Sequence, residues 1–344
     1  MQPTPRRTEP GALRPFVEPL EVAEPMVHAN LTLAPLRGEG RRRIDYLLAA
    51  QAMAAGVFTV TEIDEAGSVP ELLALNTSQQ MVLLLDGEEL VGAKQNRILN
   101  TSVMLPPGSR TRIPVSCVER GRWRHVSPTF GVGGYSPARL RARKSRQVTA
   151  SLRQRGRAES DQEAVWNDVE EHLTALGAPS PTRAMRDGLE RRRDSLGAYL
   201  KALPYPQGAR GVVAAINGRF AAADVFDKPE TLEAVWPRLV TGYAVDALSR
   251  PRKAPPAFSP AAAEVLLEHV GEVECVRFPG VGLGEDWRFE AEDIVGQALI
   301  VGGECVHLSV FPSSEASSPV GRGGRIAPPS RRRRRRRGPP DEVV

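Results

Sequence analysis

The sequence predicts an α+β fold: an antiparallel β-rich N-terminal half, central helices, and a C-terminal part built as hairpin, helix and hairpin. Three observations carry that expectation. Short apolar runs with period-two alternation dominate residues 26–128, helical stripes replace them over 138–203, and alternating runs return on both sides of one helix over 211–311. Residues 26–311 then read as a single domain in three parts. It is flanked by a Pro-, Arg- and Glu-rich leader (1–25) and a low-complexity tail (312–344), both expected to be disordered.

Residues 41–56 carry the first helical pattern, with Gly56 placed to stop it. A strand follows over 57–63, with Phe58 and Val60 on one face and Val57, Thr59 and Thr61 on the other. Three more apolar runs, 81–85, 98–105 and 111–119, read as strands. The turn signals Asp86-Gly87 and Pro106–Arg110 separate them.

In the central part, Ser160 and Glu163 match a capping box ahead of the stripe Val165, Val169, Leu173 and Leu176. Trp166 is read as a core residue. Ser180-Pro181 looks like a cap plus first helical residue, with Met185, Leu189, Leu196 and Leu200 behind it.

The third part opens with a hairpin over 211–226, whose Asn217-Gly218 pair suits a type I′ turn. A helix over 229–249 should be interrupted at Pro237, which lacks the N–H a continuous helix needs. Strands over 272–278 and 297–311 complete the pattern, the second turning at Gly302-Gly303.

Composition narrows the function classes. The formal net charge is +5, but the seven arginines Arg331–Arg337 exceed it, so the rest of the chain is slightly acidic. That run has no interleaved aromatics and no recognisable fold around it, which argues against nucleic-acid binding. Arginine outnumbers lysine 41 to 5 beside abundant Ala, Pro and Gly, a pattern of coding bias rather than of phosphate recognition.

Three cysteines without CxxC spacing suggest neither a disulfide framework nor a metal site, and five scattered histidines form no HxH or HExxH pair. His307 is expected to be a structural histidine in a strand. The start of the sequence lacks a signal-peptide core and no run is long enough to span a membrane, so a reducing cytoplasm is the expectation. The glycine-rich stretches 131–135 and 279–284 lack the features of phosphate loops and are read as turns.

Two polar stretches stand out. Glu88, Glu89, Lys94, Gln95, Asn96, Arg97 and Asn100 sit beside a very apolar run. Polar groups that are buried must be hydrogen-bonded, so such a cluster is either a solvated edge or a site for a polar ligand. Arginine and lysine suit phosphates, and amides suit hydroxyls or a base edge. Farther on, Cys117 shares a strand face with Ile113 and Val115, a core position. Glu119 continues that face and Arg122-Trp123 follow, which also suits the mouth of a pocket.

Several longer stretches carry a resemblance: 67–76, 83–102, 113–123, 160–169, 211–248 and 298–311. Together they resemble the family named for its association with ADP-ribosylglycohydrolases and rhodanese/phosphatase-superfamily proteins, over about 26–311. The family's polar motif matches Glu88, Gly92, Lys94, Gln95, Asn96, Arg97 and Asn100; a second matches Cys117, Glu119, Arg122 and Trp123. The resemblance implies a link to NAD and ADP-ribose metabolism and to ADP-ribosylglycohydrolase-pathway proteins, and it names no cofactor.

Two readings follow. In the first, the chain binds or processes ADP-ribose or a related nucleotide. Lys94, Arg97 and Arg122 hold the diphosphate, Gln95, Asn96 and Asn100 meet hydroxyls or a base edge, and Trp123 stacks on the base. Glu88 or Glu119 is then the acid/base, and Cys117 a nucleophile if a nearby positive charge lowers its pKa. In the second, the same residues line a non-catalytic nucleotide- or protein-binding surface. A single site requires Glu88, Lys94, Asn96, Arg97, Cys117 and Trp123 to converge.

Overall fold

A computed structural model describes residues 6–40, 44–64, 70–250 and 258–314. The Arg331–Arg337 run lies outside the described residues. The fold is α+β. The leading elements are β1 (Arg6–Arg7), α1 (Arg14–Val17), β2 (Glu21–Val22), β3 (Met26–His28) and β4 (Leu31–Arg37). Next come β5 (Tyr46–Leu48), α2 (Ala49–Ala54), β6 (Phe58–Thr61), β7 (Glu71–Asn76), β8 (Met81–Leu84) and β9 (Glu88–Gly92). β10 (Arg97–Leu99), β11 (Val103–Leu105), β12 (Ser109–Cys117) and β13 (Phe130–Tyr135) complete the first β region.

The helices α3 (Ala138–Arg155), α4 (Gln162–Ala175), α5 (Met185–Arg191) and α6 (Arg193–Ala202) follow. The chain then forms β14 (Ala209–Ile216), β15 (Arg219–Phe226), α7 (Pro229–Leu248) and α8 (Pro260–Glu272). It closes with β16 (Val276–Pro279), β17 (Glu285–Glu290), β18 (Ile294–Val301) and β19 (Glu304–Pro312).

Two β bodies organise the molecule. A closed six-stranded barrel runs β10-β12-β7-β6-β13-β9, and a ten-stranded sheet runs β1-β16-β17-β18-β19-β15-β14-β4-β2 with β3 on β4. A small sheet, β11-β8-β5, adjoins them. Phe58, Val60, Leu72, Ala74, Leu90, Leu99, Ile113, Val115 and Phe130 pack the barrel core. The alternation of β14 splits the large sheet's two faces. Val212, Ala214 and Ile216 pack with α7 residues in the central core, while Val213 and Ala215 pack with α1 and α8 residues.

Several sequence expectations need correction. The leader is structured where it is described: α1 packs on α8, where Leu13 and Val17 are fully or almost fully buried. The helix expected over 41–56 is only α2, because Tyr46–Leu48 pair in parallel with Met81–Leu83. Gly56 does follow its end at φ +72°. The run 98–105 is two strands in different sheets, broken at Asn100–Ser102.

The glycines 131–135, read as a turn, lie in β13, where a register shift between Val132 and Tyr135 absorbs Gly133-Gly134. The cap of α4 is Asp161, not Ser160; its carboxylate accepts from Glu163 N and Ala164 N. Ser180-Pro181 start no helix, and α5 begins at Met185.

α7 runs straight through Pro237. Losing a bond there costs about 3 kcal/mol. Burying Val235, Trp236, Leu239 and Val240 from the same turns returns about 1.5–3 kcal/mol each, so tertiary burial wins. The turn at Asn217-Gly218, both residues at positive φ, and the stripe Val165, Val169, Leu173 and Leu176, all buried, follow the sequence pattern. Trp166 is only half-buried, with the Arg120 guanidinium over its ring.

Candidate functional site

Strand register builds the site. β10 pairs with β12 so that Arg97 lies opposite Cys117 and Leu99 opposite Val115; on its other side Arg97 lies opposite Leu90. Directly paired residues share a face, so Arg97 and Cys117 point inward with Leu90, Leu99 and Val115, at one end of the barrel. Both are fully buried. The patch Lys94–Asn96 is not a continued strand but the turn between β9 and β10. Gly92 opens it at φ +129°, where an added Cβ would meet Thr129 O at 2.8 Å.

The segment after β12 folds back over this barrel end. Arg122 donates through Nε to Glu119 Oε1 (2.8 Å) and through Nη2 to Glu119 Oε2 (2.6 Å) and Asn96 Oδ1 (3.0 Å). Its Nη1 donates to Ala93 O (2.7 Å) and Arg124 O (3.2 Å), so its donors are spent on protein. Glu119 also accepts from Asn96 N (3.1 Å). Gln95 donates to Glu119 O (2.9 Å), and its Oε1 accepts from Arg97 Nη1 (2.6 Å) and the Cys117 thiol (3.1 Å).

Trp123, half exposed, roofs the cluster. Lys94 Nζ lies 5.3 Å and the Arg97 guanidinium 5.9 Å from its ring centroid. Arg97 makes no ion pair among the described residues, and its Nε and Nη2 have no hydrogen-bond partner.

Lys94, Gln95, Asn96, Arg97, Cys117, Glu119, Arg122 and Trp123 are therefore brought together. Glu88 and Asn100 are not. Glu88 pairs with Arg238 on α7, and Asn100 donates to Ala158 O (3.0 Å) and accepts from Ser116 Oγ (2.6 Å). Glu88 sits at the opposite end of β9 from the turn, so the site that required it fails, and what remains is a smaller cluster without Glu88 and Asn100.

Electrostatics separates the roles further. Burial pushes the Cys117 thiol up, and the pull of Arg97 and of the Trp166 indole does not reverse it. Burial also acts to raise Glu119, but the Arg122 hydrogen bond outweighs it and holds the group below the usual carboxylate range. The arrangement thus offers neither a thiolate nor a protonated acid at neutral pH. It does offer cationic donors beneath an aromatic ring. Among the described residues, no group of three or more His, Cys, Asp or Glu could hold a metal ion.

Sequence reasoning missed two features. Glu62 accepts from Lys94 N (3.3 Å) and so belongs to the turn. The larger one is a buried ionic junction between barrel and sheet. Arg141 forks onto Asp224 (2.6 and 3.0 Å) and reaches Asp86 (3.3 Å), which Lys144 also contacts. His307 joins Asp224 (3.2 Å) to Ser102 (2.7 Å). That Ser–His–Asp chain has the partners of a nucleophile relay, but all three are buried and His307 stacks on Phe226, so it is structural.

An α+β protein with a cationic, aromatic-roofed barrel end is the class that this geometry defines. Residues 19–311 match the ARG and Rhodanese-Phosphatase-superfamily-associated Protein domain, and the chain belongs to that family. The family name associates it with ADP-ribosylglycohydrolase and rhodanese-phosphatase proteins. No curated protein and no solved structure matches the chain. No helix among the described residues is long and apolar enough to cross a membrane.

Proposed function

We propose that the barrel end binds ADP-ribose or an NAD-related nucleotide, working beside ADP-ribosylglycohydrolase-pathway proteins. Arg97 carries this reading: a fully buried guanidinium with two donor nitrogens unpartnered is what a phosphate oxygen pair would satisfy. Lys94 adds charge, and Trp123 supplies a face for the base once it swings off Arg97. Arg122, whose donors are spent, shapes the turn instead of touching ligand. The carboxylate state of Glu119 and the raised thiol pKa of Cys117 favour binding over turnover, which is the non-catalytic form of the reading. Three free cysteines, all buried, suit the reducing cytoplasm.

The test is a thermal-shift and tryptophan-fluorescence titration with ADP-ribose, NAD and AMP. ADP-ribose should raise the melting temperature and change Trp123 emission. Arg97→Gln should abolish both effects, and Cys117→Ala should retain them. No response to any of the three ligands at millimolar concentration, or a full response in Arg97→Gln, rejects the proposal.

A further inference from the structure

A second cationic concavity lies away from the barrel end. α3, the start of β15 and the end of α7 enclose a cleft of about 320 Å³. Arg139, Arg143 and Arg146 line one side, at the i, i+4 and i+7 positions of one α3 face, and Arg219 and Arg250 line the other. Five arginines, from α3, β15 and the residues just past α7, therefore converge.

The partners of these arginines divide them into two groups. Arg139 bonds Glu171 (2.7 Å), and Arg143 pairs with Asp168 and Glu171 on α4. Arg146, Arg219 and Arg250 have no carboxylate partner among the described residues. Among the described residues, the one acid in the cleft wall is Asp246, already engaged by His172 (3.0 Å) and by Arg139 N (2.9 Å). Arg146 and Arg250 are half-buried and Arg219 is exposed, so the charges that no described carboxylate pairs lie within and at the rim of the concavity. Like charges one turn apart on a helix repel, and a low-dielectric wall focuses their field into the cleft.

We infer that this cleft is a binding site for a small ligand bearing two or more phosphates, separate from the barrel end. Guanidinium groups from opposite walls fit a diphosphate, whose oxygens each wall can take in fork geometry. Phe220 and the α3 alanines give the floor an apolar surface on which the rest of such a ligand can lie.

The test uses calorimetric titration of inorganic pyrophosphate into the full chain, carried in an Arg97→Gln background so that the barrel end does not contribute. Pyrophosphate should bind, more weakly as salt rises. Arg146→Ala should weaken binding by about tenfold, the worth of one lost charge-assisted contact, and adding Arg250→Ala should weaken it further. Arg219→Ala, at an exposed and unpaired position, gives the same direction without risk to folding. The Arg331–Arg337 run is present in every variant, so binding that persists undiminished in all of them belongs to that run and overturns the inference. Absence of pyrophosphate binding also overturns it, as does an Arg219-dependent affinity for a single-stranded oligonucleotide alone.

Discussion

Arg97 and Arg141 are both fully buried arginines, and they differ in what faces them. Arg141 sits in the junction between barrel and sheet, forked onto Asp224 with Asp86 behind, and burial fails to lower its pKa against those carboxylates. Arg97, at the barrel end, has one side-chain amide and an aromatic roof. One guanidinium holds two bodies together, and the other has its charge unspent. The same contrast recurs on β15 and just past its end. Asp224 meets Arg141 and is held well below the usual carboxylate range, although burial opposes it. Asp227, three residues on, is pushed up to about 6 by burial, and the hydrogen bond from Tyr46 does not offset this. In this protein the partner, more than the depth of burial, decides what a buried charge does.

The largest expected effect lies on the paired side. Asp224→Ala leaves Arg141 with only the carboxylate it shares with Lys144, and breaking such a pair costs about 3–5 kcal/mol. Urea unfolding should show a midpoint far below wild type. A loss under about 1 kcal/mol would mean that Asp86 alone holds the junction.

The next effect is pH-dependent. Asp227 has a native pKa of about 6 against an ordinary 3.8, so the native state binds more protons between those values. Its contribution is fully present below 3.8 and is lost as pH rises through about 6. Asp227→Asn should therefore stabilise the protein at pH 7 by up to about 3 kcal/mol and do little at pH 4. Asp224 runs the other way: its contribution is present above 3.8 and is lost as pH falls through its lower native value. Equal stabilisation by Asp227→Asn at both pH values would remove the contrast.

The smallest effect on stability belongs to the barrel end. Arg97→Met removes a charge that no carboxylate among the described residues holds, so stability should stay within about 1 kcal/mol of wild type or rise. The ADP-ribose response should disappear in the same variant. A loss as large as that of Asp224→Ala would make Arg97 a structural residue.

The α+β class was legible in the sequence, and so was the adjacency of the two polar stretches. Lys94–Arg97 and Cys117–Trp123 each stood out as polar residues beside apolar runs, and the Arg97–Cys117 register joins them. Glu88 and Asn100 were grouped with them by proximity alone, which cannot tell one end of a five-residue strand from the other. The ionic junction was illegible because its members, Asp86, Arg141, Asp224 and His307, are far apart in sequence and each looks ordinary where it stands. Local chemistry located the hairpin at Asn217-Gly218. It missed β13, whose glycines signal a turn until a neighbouring strand claims them, and it broke α7 at a proline that burial overrides.

β4 pairs along most of its length with β14, Leu36 facing Gly211, and six of its seven residues are buried in the finished protein. The ribosome therefore releases this strand, with β2 and β3 available for one edge only, long before β14 exists for the other. Until β14 emerges, the nascent chain carries an apolar strand with open backbone groups, the kind of segment that recruits other chains. Growth of the chain, and not only its final energy, sets how safely this fold is reached. Slowing translation between the barrel and β14 should lengthen the exposure and favour aggregation.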